Sequence, residues 1–237
     1  MSRHRVVWIL SFIVLLLAAN VVGVAAVNSY WQRMAEGFPN DVAIHEYAYE
    51  YLAPNLEITA RIPQLVGVGS ELWQARFNQT MRDHLDEFVT GLKEMVLEVQ
   101  ELQNLEYTGF PYEGIMDFEI KLNRGGLLSL VLVNYAYTGG AHGMTYYDYI
   151  NVDLTSGHTI TLHDLFDSDA ELNRAAETID ASIKKELDLF FVDSFSVSDF
   201  QEDQGFYLQG DQAVVCFGLY ELAPYAHGIQ EFAIPTP

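Results

Sequence analysis

The chain has 237 residues, with 33 Asp and Glu against 12 Lys and Arg and a formal net charge of −21. A domain this acidic repels nucleic acid and anionic lipid, so neither is expected as a partner, whereas a cationic partner would be attracted. The single cysteine, Cys216, excludes an intramolecular disulfide, and stability has to come from burial.

Residues 6–27 carry no charge, and as a helix rising about 1.5 Å per residue they would cross a hydrocarbon core of about 30 Å. Arg3 and Arg5 precede the run and the first acid, Glu36, follows it, a bias that keeps the N-terminus in the cytosol and places the rest outside. Two readings share that outcome. Residues 1–34 form an uncleaved single-pass membrane anchor, or residues 6–19 are the apolar part of a signal peptide cut near Val24-Ala25-Ala26, which would release a secreted protein. The anchor is preferred because the apolar run continues past Asn20. With Arg3, Arg5 and Arg33 set aside, the exported part has 33 acids against 9 bases, a charge of −24. Such acidity serves solubility as readily as recognition.

Beyond a short polar stretch, residues 44–52 predict a strand with His45, Tyr47, Tyr49 and Tyr51 on one face. Residues 55–62 predict another, with Leu56, Ile58, Ala60 and Ile62 opposite Glu57, Thr59 and Arg61, ended by Pro63. After Gly67-Val68-Gly69, Ser70 is an N-cap for a long amphipathic helix, bent at Gly91, in which Leu72, Phe77, Met81, Leu85, Phe88, Leu92, Met95, Val99 and Leu102 recur at helical spacing. Residues 104–111 mark a seam. Strands follow at 115–123, 127–137, 144–154 and 158–162, the second apolar on both faces as a central strand covered by helices would be. A capping box at Ser168-Asp169-Ala170-Glu171 opens a second helix burying Leu172, Ala176, Ile179, Ile183, Leu187 and Phe190. Strands at 206–208, 212–219 and 229–234 close the chain. This order lacks strict βα alternation and predicts an α+β fold, two helices on largely antiparallel sheet.

Chemistry-bearing motifs are sparse. Gly67-Val68-Gly69 lacks the third glycine and the parallel crossover of a dinucleotide site. His158 and His163 lie five apart with no third ligand in view, so no metal or other cofactor is expected. No Gly-x-Ser-x-Gly elbow exists, and Cys216 falls inside a strand as a small core residue. Two loops stand out: residues 135–147, with Thr138-Gly139-Gly140-Ala141-His142-Gly143 between tyrosines, and residues 219–228, with Pro224-Tyr225-Ala226-His227-Gly228. Tyrosine on glycine-rich backbone suits a recognition surface. The competing reading is that the tyrosines pack the sheet and the glycines supply positive φ. The candidate binding residues are Tyr137, Gly139, Gly140, His142, Tyr147, Tyr225 and His227. In the strand at 144–154, Tyr146 shares a face with Ile150, Val152 and Leu154, so it is expected to be packed and Tyr147 exposed.

The same loops carry a resemblance. Tyr135 through Gly143, Asn151-Val152-Asp153-Leu154, Ser156-Gly157, Leu162-His163-Asp164-Leu165-Phe166 and Ala223 through Gly228 are similar to the RsiV-type C-terminal domain. Residues 55–81 resemble the N-terminal partner domain shared by RsiV-type anti-sigma factors and PdaC-type peptidoglycan deacetylases. The resemblance implies a two-part ectodomain, residues 41–106 and 107–237, which in the best-known members binds lysozyme. Only Met1 to Arg5 precede the apolar run, so neither a sigma-binding domain nor the deacetylase catalytic domain is expected. The expected protein is a non-enzymatic, extracytoplasmic cell-envelope binding domain for a cationic protein such as lysozyme. Cell-wall glycan, stacked on Tyr137, Tyr146, Tyr147 and Tyr225, is the alternative partner, and hydrolysis by residues distant in sequence is a third possibility.

Overall fold

A computed structural model describes residues 29–103 and 111–234. The segment 6–27 and nearly all of the 104–111 seam fall outside the described residues, among which no helix is long and apolar enough to cross a membrane.

The first described element is helix α1, Ser29–Glu36, whose residues 29–34 fall within the 1–34 segment expected to be the anchor or signal. Trp31 and Met34 are 1% and 0% exposed in the main core, and the Trp31 indole donates to the Leu165 carbonyl at 2.6 Å. The anchor boundary at residue 34 is therefore corrected: residues from Ser29 onward belong to the folded domain. Two turns of helix with only two large apolar residues give too short a pattern to stand out beside a long apolar run. Arg33 returns with them, so the folded part carries 33 acids against 10 bases.

Strands β1 (Ala43–Ala53), β2 (Leu56–Val66), β3 (Tyr112–Arg124), β4 (Leu127–Tyr137), β5 (Met144–Asp153) and β6 (His158–Thr159) form one sheet in that order. All neighbours are antiparallel except β2 and β3. The long helix α2 (Glu71–Gln103) is the crossover between that parallel pair. The sheet is thus continuous across the 106/107 boundary expected from the sequence. Pro63 does not end β2, which runs to Val66; beyond Ala60 its only neighbour is β1, so one side is free to host a residue without an N–H.

Ser70 caps α2, its hydroxyl accepting from the Trp73 N–H at 3.4 Å. Phe77, Met81, Leu85, Val89, Leu92 and Val96 are buried against Ile58, Ile62, Leu128, Leu130 and Leu132. Leu72 and Met95 point outward instead, 65% and 48% exposed, and the helix is continuous through Gly91. Its path is diagonal. Near its start the Trp73 indole donates to Gly157 O beyond β5, and further along Lys93 sits over the Tyr51 ring of β1.

The other face of β4 is covered by strands, not by the helix expected there. Strands β7 (Phe206–Gln209), β8 (Gln212–Phe217) and β9 (Gln230–Ile234) form a second antiparallel sheet. Its Tyr207, Val214 and Cys216 pack on Val131, Val133, Tyr147 and Tyr149. The reverse face, with Leu208, Val215, Phe217 and Phe232, packs on Ala176, Ile179 and Ile183 of helix α3 (Asp169–Ile183). The layers run α2, six strands, three strands, α3. Ser168 caps α3 as expected, accepting from the Glu171 N–H, while the helix stops at Ile183 and leaves Leu187 exposed. A buried polar relay joins the sheets: Ser129 Oγ donates to Asn151 Oδ1 at 2.6 Å and accepts from Leu208 N at 2.9 Å, and Asn151 Nδ2 donates to Phe206 O at 2.8 Å. These bonds satisfy backbone at the outer edge of β7.

Candidate binding site

The three-stranded sheet covers only part of the face it packs on. Over β1, β2 and the Glu113 end of β3 that face is open among the described residues, presenting exposed Glu46, Glu57, Arg61 and Glu113. Arg61 pairs with Glu46 at 3.3 Å and with Asp117. Glu57 and Glu113 stand directly beside each other in the parallel register, and Glu113 stands opposite Tyr137 on β4. No cation pairs with either carboxylate among the described residues. Like charges side by side across strands are unfavourable, so this row is a place where a cation would be gained rather than lost.

The β4–β5 loop closes one end of the row. Gly139 and Gly140 both take positive φ, +97° and +94°, which the reversal needs and a side chain would oppose. Tyr137 OH donates to Gly140 O at 3.2 Å. Behind it the His142 and Tyr225 rings stack with centroids 3.8 Å apart and planes 20° from parallel. Tyr225 OH and His142 Nδ1 both reach Gly143 O, at 2.9 and 3.0 Å. A carbonyl only accepts, so Nδ1 donates to it, and Nε2 lies 3.5 Å from the Tyr220 hydroxyl. Tyr220 has φ +66°, the sole non-glycine with positive φ among the described residues, a backbone conformation that residues with a Cβ rarely adopt. A Cβ at Gly143 would overlap the outer end of the Tyr135 ring, so any larger residue there has to displace that ring. Burial first, then Glu113, Tyr225 and Tyr137, push the Tyr135 phenol upward, so it stays neutral.

The result is a cavity of about 520 Å³ lined by Glu57, Glu113, Tyr135, Tyr137, His142 and Gly143. Of the residues singled out in the sequence, Tyr137 and His142 line it, while Gly139, Gly140 and Tyr225 shape the loop behind it without lining it. The other two are not part of it. Tyr147 turns into the packing between the sheets, where burial, then Glu119 and Glu231, raise its phenol. His227 ends the exposed short turn Tyr225–His227 and does not line the cavity. The expected order of Tyr146 and Tyr147 is reversed: Tyr146 is 59% exposed. The diagonal of α2 covers the Ile150 and Leu154 end of this stretch and leaves the Tyr146 end bare. Sequence reasoning missed Glu57, Glu113, Tyr135 and Tyr220 as site residues. Alternation placed Glu57 on the outward face of β2, but its neighbour on β3 is defined only by the crossover.

Among the described residues no three His, Cys, Asp or Glu side chains group as metal ligands would. Cys216 is buried and its thiol is pushed up to about 12, chiefly by burial. The architecture and the cleft define an α+β protein built around an acidic, tyrosine-lined sheet face. Residues 52–145 match the family model described as Deacetylase PdaC, and residues 163–236 the model described as Protein of unknown function (DUF3298). The chain therefore carries a PdaC-type domain followed by a DUF3298-type domain. The first match spans β2 through β4, across the 106/107 boundary. Two solved structures share the fold. A DUF3298-family member from Bacteroides fragilis is 19% identical with TM-score 0.56, covering 86% of this chain and 92% of that one. A DUF3298-family protein from Pseudomonas aeruginosa is 20% identical with TM-score 0.50, covering 83% and 92%. No curated protein matches the chain.

Proposed function

We propose that this chain is an extracytoplasmic, membrane-held cell-envelope domain that binds rather than catalyses, and that its partner is a cationic protein of which lysozyme is the example the RsiV-type resemblance supplies. The observation that carries the reading is the row Glu57, Glu113 and Tyr137 across three strands, two carboxylates with no ion-pair partner among the described residues beside an aromatic ring at the mouth of the cavity. A lysine or arginine side chain entering there meets opposite charge and an aromatic face together. The charge of the folded part supplies attraction at longer range.

The test is capture of lysozyme by the full chain in mild detergent, measured by biolayer interferometry. Affinity should fall steeply between 0.05 and 0.5 M salt. Glu113→Gln and Glu57→Gln should each weaken it about tenfold, or about 1.4 kcal/mol, with melting temperature unchanged. Salt-independent capture, or capture indifferent to both substitutions, would falsify the reading.

Cell-wall glycan is the second reading, favoured by the Tyr135 and Tyr137 rings in the cavity and by the match to a family described as a deacetylase. Soluble peptidoglycan fragments binding with little salt dependence, and losing affinity in Tyr137→Ala but not in Glu113→Gln, would establish it. In either case the fragments should be recovered with their acetyl groups intact.

A further inference from the structure

We propose that the free edge of β5 accepts, as an added strand, an extended lysine- or arginine-bearing segment of another protein. β6 pairs only with Val152 and Asp153. Among the described residues, no strand lies beside β5 from Met144 to Ile150 on the side away from β4. Bonding alternates along an antiparallel pair. Leu154 N bonds to Gly126 O across the β4 side, so the even-numbered residues of β5 face β4. The odd-numbered ones face outward, and Asn151 O does accept from Ile160 N on that side at 2.8 Å. Thr145, Tyr147 and Tyr149 therefore aim their N–H and C=O groups off the edge. An edge of this length, with no proline, lysine or bulge to blunt it, is a template for a further strand.

The edge of β1 is also free, but β5 alone of the two lies in a groove. A cleft of about 650 Å³ runs along it, walled on the far side by residues 201–206 and by Gly218, Leu219 and Glu221. Five residues of added strand rise about 17 Å, which matches the free stretch from Thr145 to Tyr149. The occupant's charge follows from the walls. Asp148, Glu202, Asp203 and Glu221 line the cleft, and no lysine or arginine does. Its apolar positions have Tyr147, Tyr149, Leu219 and Ile229 to meet. This groove is separate from the Glu57 and Glu113 cavity and stands whether or not that cavity binds a cationic protein.

The experiment uses the full chain in mild detergent and a fluorescein-labelled heptapeptide of alternating lysine and valine. Anisotropy should show binding that weakens at least tenfold when alternate peptide nitrogens are methylated in one register and changes less than twofold in the other. Bound peptide should slow amide exchange at Thr145, Tyr147 and Tyr149, with no change at Tyr146 and Asp148, which are already bonded to β4. Thr145→Pro, which removes an outward N–H without breaking a bond to β4, should weaken binding about tenfold. Absence of binding, or equal loss from methylation in both registers, overturns the proposal. So does a peptidoglycan fragment that displaces the peptide and occupies the groove without protecting the odd-numbered amides, because the cleft would then be a glycan site.

Discussion

Arg33 is where the proposed membrane tether becomes part of the domain, and its replacement is the most informative single change. Its guanidinium grips both oxygens of Asp153, at 2.7 and 3.0 Å, and Nε donates to Gly125 O at 2.7 Å. The Arg33 and Asp153 side chains are 25% and 11% exposed. Breaking a fully buried pair by removing one partner costs about 3–5 kcal/mol and an exposed pair contributes about 0–1, so Arg33→Ala should cost about 2–3 kcal/mol. Urea unfolding of the full chain in detergent at pH 7, followed by tryptophan fluorescence, measures it. The Arg33→Ala, Asp153→Ala cycle should return a coupling near 2 kcal/mol. The hydrogen bond from Arg33 holds the Asp153 carboxyl well below the usual carboxylate range. A depressed carboxylate contributes stability above its unfolded pKa, about 3.9, and loses that contribution as pH falls toward the folded value. The gap between wild type and Arg33→Ala should therefore be full at pH 6 and narrow steadily below pH 4. A loss under 0.5 kcal/mol at pH 7, or a gap as wide at pH 2 as at pH 7, would refute the reasoning.

Four further outcomes are expected. Gly143→Ala should push the flexible end of Tyr135 out of the cavity, weakening partner capture while changing melting temperature by only a few degrees. Asn151→Ala should cost about 2–3 kcal/mol in urea unfolding, because it strands both the Ser129 hydroxyl and the Phe206 carbonyl. Cys216 should resist a thiol-specific disulfide reagent in the native chain at pH 8 and react fully in urea, since burial holds its thiol near 12. A reporter fused after Pro237 should be active only outside the cytosol, and activity inside would remove the envelope reading.

Much of the chain was legible because local physics fixed it. Alternation in residues 55–62, the Ser70 and Ser168 caps and the helical spacing from Phe77 to Leu92 placed the elements close to their observed bounds. The two glycine-and-tyrosine loops were visible as unusual, and they do meet, through the His142–Tyr225 stack. Errors fell where a residue's fate depends on a distant element. Tyr146 and Tyr147 were exchanged because period-two alternation says which side chains share a face, not how far along that face a covering helix reaches. Pro63 looked like a terminator because its missing N–H matters only if a strand lies on both sides.

By itself the sequence determined the charge, the exclusion of a disulfide, the order of the strands and the two long helices, and the α+β class, because each depends on composition or on local periodicity. Only the tertiary structure decided that Trp31 and Met34 are core, and that a second sheet rather than a helix covers β4. It also set Glu57 beside Glu113 and left β5 an open edge inside a cleft. Those four outcomes follow from the parallel crossover of α2 and from the stacking of two sheets, contacts between residues 50 or more apart whose partners no local pattern names.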